Sequence, residues 1–222
     1  MADELGLGAD DTPWHAVRDT IAELGGWLSL LTGSLGKAGA DLVPLSQSEL
    51  GLVSAGVGGK TSTMPQKSNP VAAEALVTLA RLNAGDLALL HQSLVHTLER
   101  DGMALGVEWT VLPAMLERAA ASLRISQDLA EMLRPEPDRI ATAFSADRGM
   151  MLAEAAGFVL ARDMPRTEAI GIVDEALRVM QDDPALILAE ALLHLAPGHD
   201  WAGLLRPGSN AGETGNIARN DE

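Results

Sequence analysis

Residues 58–70, Gly-Gly-Lys-Thr-Ser-Thr-Met-Pro-Gln-Lys-Ser-Asn-Pro, bring together the groups that an anion site needs. Glycines let backbone N–H groups face a ligand, and the hydroxyls of Thr61, Ser62 and Thr63 add donors. Lys67 supplies a full positive charge. The chain has only three lysines, at positions 37, 60 and 67, against a formal net charge of −15, so two of them falling in one short loop calls for an explanation. Asn69 and Pro70 are the types favoured at the N-cap and first position of a helix, where free N–H groups and the helix dipole favour negative charge. The residues alone leave two readings, a carboxylate or phosphate site and a solvated loop.

Part of this segment, Gly58-Gly59-Lys60-Thr61-Ser62, also looks like the end of a phosphate-binding P-loop. The leading glycine of that motif falls at Ser54, no buried strand precedes it, and Pro65 stands where the following helix should be under way. No apolar run ending in Asp follows as a magnesium partner. The P-loop reading is therefore set aside.

The elements that must position the loop are helices. Trp14, Val17, Ile21, Leu24, Leu28, Leu31 and Leu35 are spaced alternately by three and four, which predicts a helix over residues 12–35 with Thr12 as N-cap, Pro13 in first position, and Gly36 and Gly39 as stops. Residues 40–69 break the pattern, with a short helix available around 46–53. A second long helix is expected over 69–102, beginning with Asn69 as N-cap. A third is expected over 107–133, with Pro113 giving a kink or a late start and Pro135 and Pro137 closing it. Shorter helices follow over 146–162, 166–181 and 184–195. Strand signals are nearly absent, and Ala and Leu dominate the periodic segments. The fold class is all-α, built around three long helices: residues 1–137 form the bundle portion with the loop at 54–69, 138–205 a small helical domain, and 206–222 a tail with little to bury.

At 222 residues the chain can bury a substantial core. It has no cysteine, which excludes disulfides and thiolate metal sites and leaves the cytoplasm as the expected compartment. Asp3 and Glu4 stand where a secretory signal would be basic, and charged residues or glycine interrupt every hydrophobic run, so neither a signal nor a membrane span is expected. The acidic balance argues against nucleic acid as a partner.

The segment Thr61-Ser62-Thr63-Met64-Pro65-Gln66-Lys67-Ser68-Asn69 resembles the signature loop of the fumarase/aspartase superfamily, Gly-Ser-Ser-x-Met-Pro-x-Lys-x-Asn, with Lys60 in place of Gly and Thr61 in place of the first Ser. Asp11-Thr12-Pro13-Trp14-His15 with Arg18 and Asp19 resembles the Pro-Trp-His…Arg-Asp segment of the 3-carboxy-cis,cis-muconate cycloisomerase branch. Glu99-Arg100-Asp101 and Glu108-Trp109…Leu112-Pro113 resemble elements of the same branch, some shared with adenylosuccinate lyases.

The resemblance implies a long-helix bundle of the fumarase/aspartase type, and places the chain in the C-terminal portion of the family's length, after a segment that carries a catalytic-site His. It implies a small polycarboxylate substrate, with Thr61, or its rival Ser62, as the proton-transfer group. Lys67, Asn69, Met64, His15, Arg18 and Arg100 are the implied substrate-binding residues, with the two arginines as bidentate carboxylate clamps. It implies no metal or organic cofactor, and a homotetramer whose active sites are shared between subunits.

Residue chemistry also supports plainer roles. Arg18 and Arg100 could pair with Asp19, Glu99 or Asp101, His15 could pack or cap, and Trp14 and Trp109 suit a core or an interface. His91 and His96, five apart on one expected helix, are poorly spaced for a shared metal. Three functions compete: lactonisation of 3-carboxy-cis,cis-muconate, β-elimination of fumarate as in adenylosuccinate lyase, and a catalytically silent helical oligomerisation module. Trp14-His15 and Glu108-Trp109 favour the first, and the chain by itself is expected to have little or no activity.

Overall fold

The first long helix runs straight through the glycines expected to stop it. In the computed structural model, which describes residues 2–8, 14–55, 59–60, 68–206 and 208 (backbone alone at 59, 60 and 68), α1 (Ala2–Leu5) precedes α2 (Asp19–Leu45). Gly36 and Gly39 are buried inside α2, where α2 and α3 (Val71–Gln92) come closest. A Cβ on Gly36 would stand 2.5 Å from the Cβ of Ala80, and one on Gly39 2.5 Å from the carbonyl oxygen of Ala73. The glycines serve helix contact, and that gain outweighs their poor propensity. Thr12 and Pro13, the expected start, lie outside the described residues; α2 begins after Arg18, whose carbonyl accepts from Ile21 and Ala22.

The second long helix is shorter than expected. It starts at Val71 with Pro70, not Asn69, in the N-cap position, and ends at Gln92. The hydroxyl of Ser93 donates to the Leu90 carbonyl at 2.7 Å, helping to turn the chain out of the helix. The leucines that extended the pattern, Leu94 and Leu98, lie in the connection, and Leu98 is 81% exposed with φ of 56°. The third, α4 (Gly102–Met132), starts five residues before the expected 107 because Asp101 caps it, its carboxylate accepting from the N–H groups of Met103 and Ala104. Pro113 lies within α4 on an exposed face, where the carbonyl left without its partner can turn to water.

These three helices pack as an antiparallel bundle around Leu28, Leu90, Val111, Met115 and Ala119. Burial of each larger aliphatic side chain in such a core contributes about 1.5–3 kcal/mol. Short strands, unannounced by the sequence, tie the connections: β1 (Val53–Ala55) pairs antiparallel with β4 (Leu133–Pro135), and β2 (Gly59–Lys60) with β3 (Ser68–Asn69). Residues 46–50 form turns instead of a helix.

The chain divides into two compact units, residues 1–136 and 137–222. The second holds α5 (Pro137–Ala146), a 3-10 turn (Met150–Leu152), α6 (Ala153–Leu160), α7 (Arg166–Asp182), α8 (Leu188–Leu195) and α9 (Trp201–Leu204). The expected helix over 146–162 is thus split, and the one over 184–195 starts later. Its core includes Leu160, Met180, Leu188, Leu192 and Trp201. No described helix is long and apolar enough to cross a membrane.

Candidate functional site

Asn69 and Arg18, two of the residues singled out from the sequence, fall at opposite ends of the bundle. Gly25 approaches Leu90 and Gly39 approaches Ala73, so α2 and α3 run antiparallel. Arg18, at the start of α2, therefore lies toward the end of α3, while Asn69 lies at its start. With 22 residues at about 1.5 Å each, α3 separates the two groups by roughly 33 Å.

At the head of α3, Gly59 pairs with Asn69 and Lys60 with Ser68, so segment 61–67 begins and ends at neighbouring backbone positions. Thr61, Ser62, Met64 and Lys67 themselves lie outside the described residues. Asn69 is half-buried on β3, and among the described residues no side chain caps the α3 N-terminus, whose first turn carries Glu74. The first N–H groups of a helix have no partner within the helix and favour an acceptor with negative charge.

At the other end, Arg18 and Glu108 form a buried, two-pronged ion pair. Arg18 Nε donates to Glu108 Oε2 at 2.8 Å and Nη2 to Oε1 at 2.5 Å. The hydrogen bond to Glu108 raises the Arg18 pKa above its ordinary value, against the opposing effect of burial. Glu108 therefore occupies one edge of the Arg18 guanidinium, the Nε and Nη2 side, and none of the three nearby acids considered for it is the partner. Trp14 lies over the guanidinium, 5.1 Å from ring centroid to Cζ, and its ring is nearly parallel to that of His15. Trp14 and His15 are exposed, as is Trp109, so neither tryptophan is a core anchor in this chain.

Arg100 is exposed in the 93–101 connection, just before Asp101. Asp101 closes that connection as well as capping α4, accepting from the Thr97 N–H at 3.1 Å. Backbone hydrogen bonds, from Thr97 first and then Ala104 and Met103, hold its carboxyl below the usual carboxylate range. Among the described residues, no cluster of His, Asp and Glu is arranged to hold a metal ion.

Two functional features escaped sequence reasoning. Glu108 was noted only as part of a resembling segment, yet it shares the buried face of α4 with Ala104, Leu105 and Val111. A carboxylate on an apolar stripe signals a buried cationic partner. Asp101 just ahead of an apolar-periodic run carried the N-cap signal. A separate groove of about 690 Å3 in residues 137–222 is lined largely by apolar residues, including Ile140, Phe144, Ile187 and Leu205. Its one arginine, Arg148, is engaged with the carbonyls of Met180, Asp183 and Leu186, so the groove lacks the free cations a polyacid needs.

The described backbone closely follows solved structures. It superposes on the 3-carboxy-cis,cis-muconate lactonizing enzyme from Pseudomonas putida with a TM-score of 0.82 and 30% identity, covering 98% of this chain and 50% of that one. The chain has the fold of the fumarase/aspartase superfamily. A lyase family model matches residues 2–83. The 3-carboxy-cis,cis-muconate cycloisomerase of Pseudomonas aeruginosa is 36% identical over 80% of this chain and 39% of its own length. A fumarate lyase from Mesorhizobium superposes with a TM-score of 0.83 at 28% identity, over 99% of this chain and 50% of that one. The chain thus spans half or less of the length of these superfamily members, and it is related to enzymes of lyase and isomerase type.

Proposed function

We propose that the protein carrying this chain is a cycloisomerase that converts 3-carboxy-cis,cis-muconate to 4-carboxymuconolactone, in the protocatechuate branch of the beta-ketoadipate pathway. The observation that carries the reading is the pairing of Gly59–Lys60 with Ser68–Asn69 just before α3, which brings the two ends of the signature segment together at the head of that helix. Cycloisomerase relatives support it. In lactonisation a carboxylate oxygen adds to a carbon of the conjugated acid, negative charge gathers on a second carboxylate as an enolate-like species, and a proton arrives at its α carbon. Lys67, Asn69 and the first N–H groups of α3 suit the developing charge, and Met64 belongs to the same signature segment. A hydroxyl at Thr61 or Ser62 suits the proton delivery, provided the same positive surround lowers its pKa. His15 and Arg100, exposed at the opposite end, suit the remaining carboxylates.

A separation of roughly 33 Å is far beyond the reach of one small polyacid, so a site using both groups must join ends of different copies. Apolar side chains left exposed along α2 and α4, among them Trp27, Leu30, Leu116 and Leu123, favour such an assembly. A homotetramer in the cytoplasm, with sites shared between subunits and no cofactor, is the form proposed. The C-terminal unit is proposed as a small helical domain with a short tail after residue 205.

The likeness to a fumarate lyase favours one alternative, β-elimination releasing fumarate by the same loop. Assaying the protein with 3-carboxy-cis,cis-muconate and with adenylosuccinate separates them. Turnover of the first alone is expected; turnover of the second alone would reverse the assignment, and turnover of neither would favour a silent oligomerisation module.

A further inference from the structure

A buried ion pair gains little stability over apolar residues of similar volume, because desolvation offsets most of the attraction. Arg18 and Glu108 are 8% and 3% exposed and stand 90 residues apart in sequence, so their pairing calls for a role other than stability. Both carboxylate oxygens meet the Nε and Nη2 edge, which fixes the guanidinium plane as well as its position. The Arg18 guanidinium carbon lies over the Trp14 ring, 5.1 Å from its centroid, and the Val17 N–H closes a turn onto the Trp14 carbonyl at 3.2 Å. Trp14 is itself 55% exposed, so burial does little to hold it. The neighbouring His15 ring lies 5.9 Å from that of Trp14 and within 5° of parallel.

We propose that Glu108 is a positioning residue: by fixing Arg18 against α4 it sets where Trp14 and His15 stand at this end of the bundle. Arg18 is then the plate that carries the aromatic pair, and its Nε and Nη2 edge does not grip substrate. The consequence for turnover rests on the polycarboxylate reaction proposed above; the consequence for geometry does not.

The test compares 15N-labelled wild type, Glu108→Gln, Glu108→Asp and the double variant Arg18→Met with Glu108→Leu. The Trp14 indole N–H resonance is assigned with Trp14→Phe. The double variant is expected to keep its melting temperature yet shift the Trp14 resonance. Glu108→Gln should shift it as well, and Glu108→Asp should restore part of the wild-type position. In the assay with 3-carboxy-cis,cis-muconate the double variant should raise KM roughly tenfold or more, with a smaller change in kcat. A Trp14 resonance that stays in place in the double variant, or in Glu108→Gln if the double variant does not fold, overturns the proposal. A Trp14 shift in a protein that turns over no polyacid supports the positioning role and overturns the reaction instead.

Discussion

Gly39 of α2 lies against the backbone of Ala73 in α3 so closely that a Cβ would meet the Ala73 carbonyl oxygen at 2.5 Å and the Leu76 Cβ at 3.0 Å. Gly39→Ala must therefore push two helix backbones apart. A loss of about 1–3 kcal/mol in urea unfolding is expected. Gly33, on the same helix, has nothing within 4 Å of such a Cβ. Gly33→Ala should instead add about 0.5–1 kcal/mol through better helix propensity. A loss at Gly33 as large as that at Gly39 would contradict the packing described.

Asp101 gives the bundle a sensitivity to acid. Its folded pKa lies below the unfolded value of about 3.9, so its contribution is fully present above that value and is lost as pH falls through the folded one. Asp101→Asn retains an acceptor for the Met103 or Thr97 N–H but no charge. The melting temperature of wild type should exceed that of the variant at neutral pH, and the gap should close as pH is lowered from about 5 to about 2. A gap independent of pH would show that the carboxylate charge is not what closes the connection.

Arg148 holds the end of α7 with one nitrogen: its Nη1 donates to the carbonyls of Met180 and Asp183 at 3.1 Å and of Leu186 at 3.4 Å. Its own backbone sits at φ of 56°, and its carbonyl accepts from the Leu188 N–H. Arg148→Ala should cost about 1–3 kcal/mol, chiefly from carbonyls left without their donor. Arg148→Lys should recover only part, since a flexible ammonium does not reproduce the fixed guanidinium. Hydrogen exchange at the end of α7 would read the effect locally.

For the proposed site, Lys67→Ala should lower turnover by about a hundredfold or more while the protein's assembly stays as in wild type. Thr61→Ala and Ser62→Ala separate the two candidate proton donors: one should lose activity by a similar factor and the other should not. Full activity in both would remove the hydroxyl from the mechanism. Size-exclusion chromatography with light scattering, run beside the steady-state assay, checks assembly and activity together.

The all-α class and the superfamily were legible because each rests on contiguous residues: leucines at helical spacing, and an unbroken run from Thr61 to Asn69. Helix ends were not. Gly36 and Gly39 have the type that ends helices, and only the presence of α3 alongside shows why they belong inside one. Leu94 and Leu98 continue the spacing of α3 beyond its end, yet Ser93 and Asp101 take the backbone groups that would have extended it. The Arg18–Glu108 pair was illegible in another way. Arg18 had nearer candidates for a partner, and closing a 90-residue separation depends on how three helices fold back on one another. The same folding sends Asn69 and Arg18 to opposite ends, which spacing along a sequence cannot reveal.

The ladder joining Gly59–Lys60 to Ser68–Asn69 makes the intervening stretch a replaceable cassette. Its two attachment points are already held side by side, so exchanging what hangs between them costs the long helices nothing in register or length. A lineage built on this frame can trial new side chains in that stretch while the scaffold stays as it was.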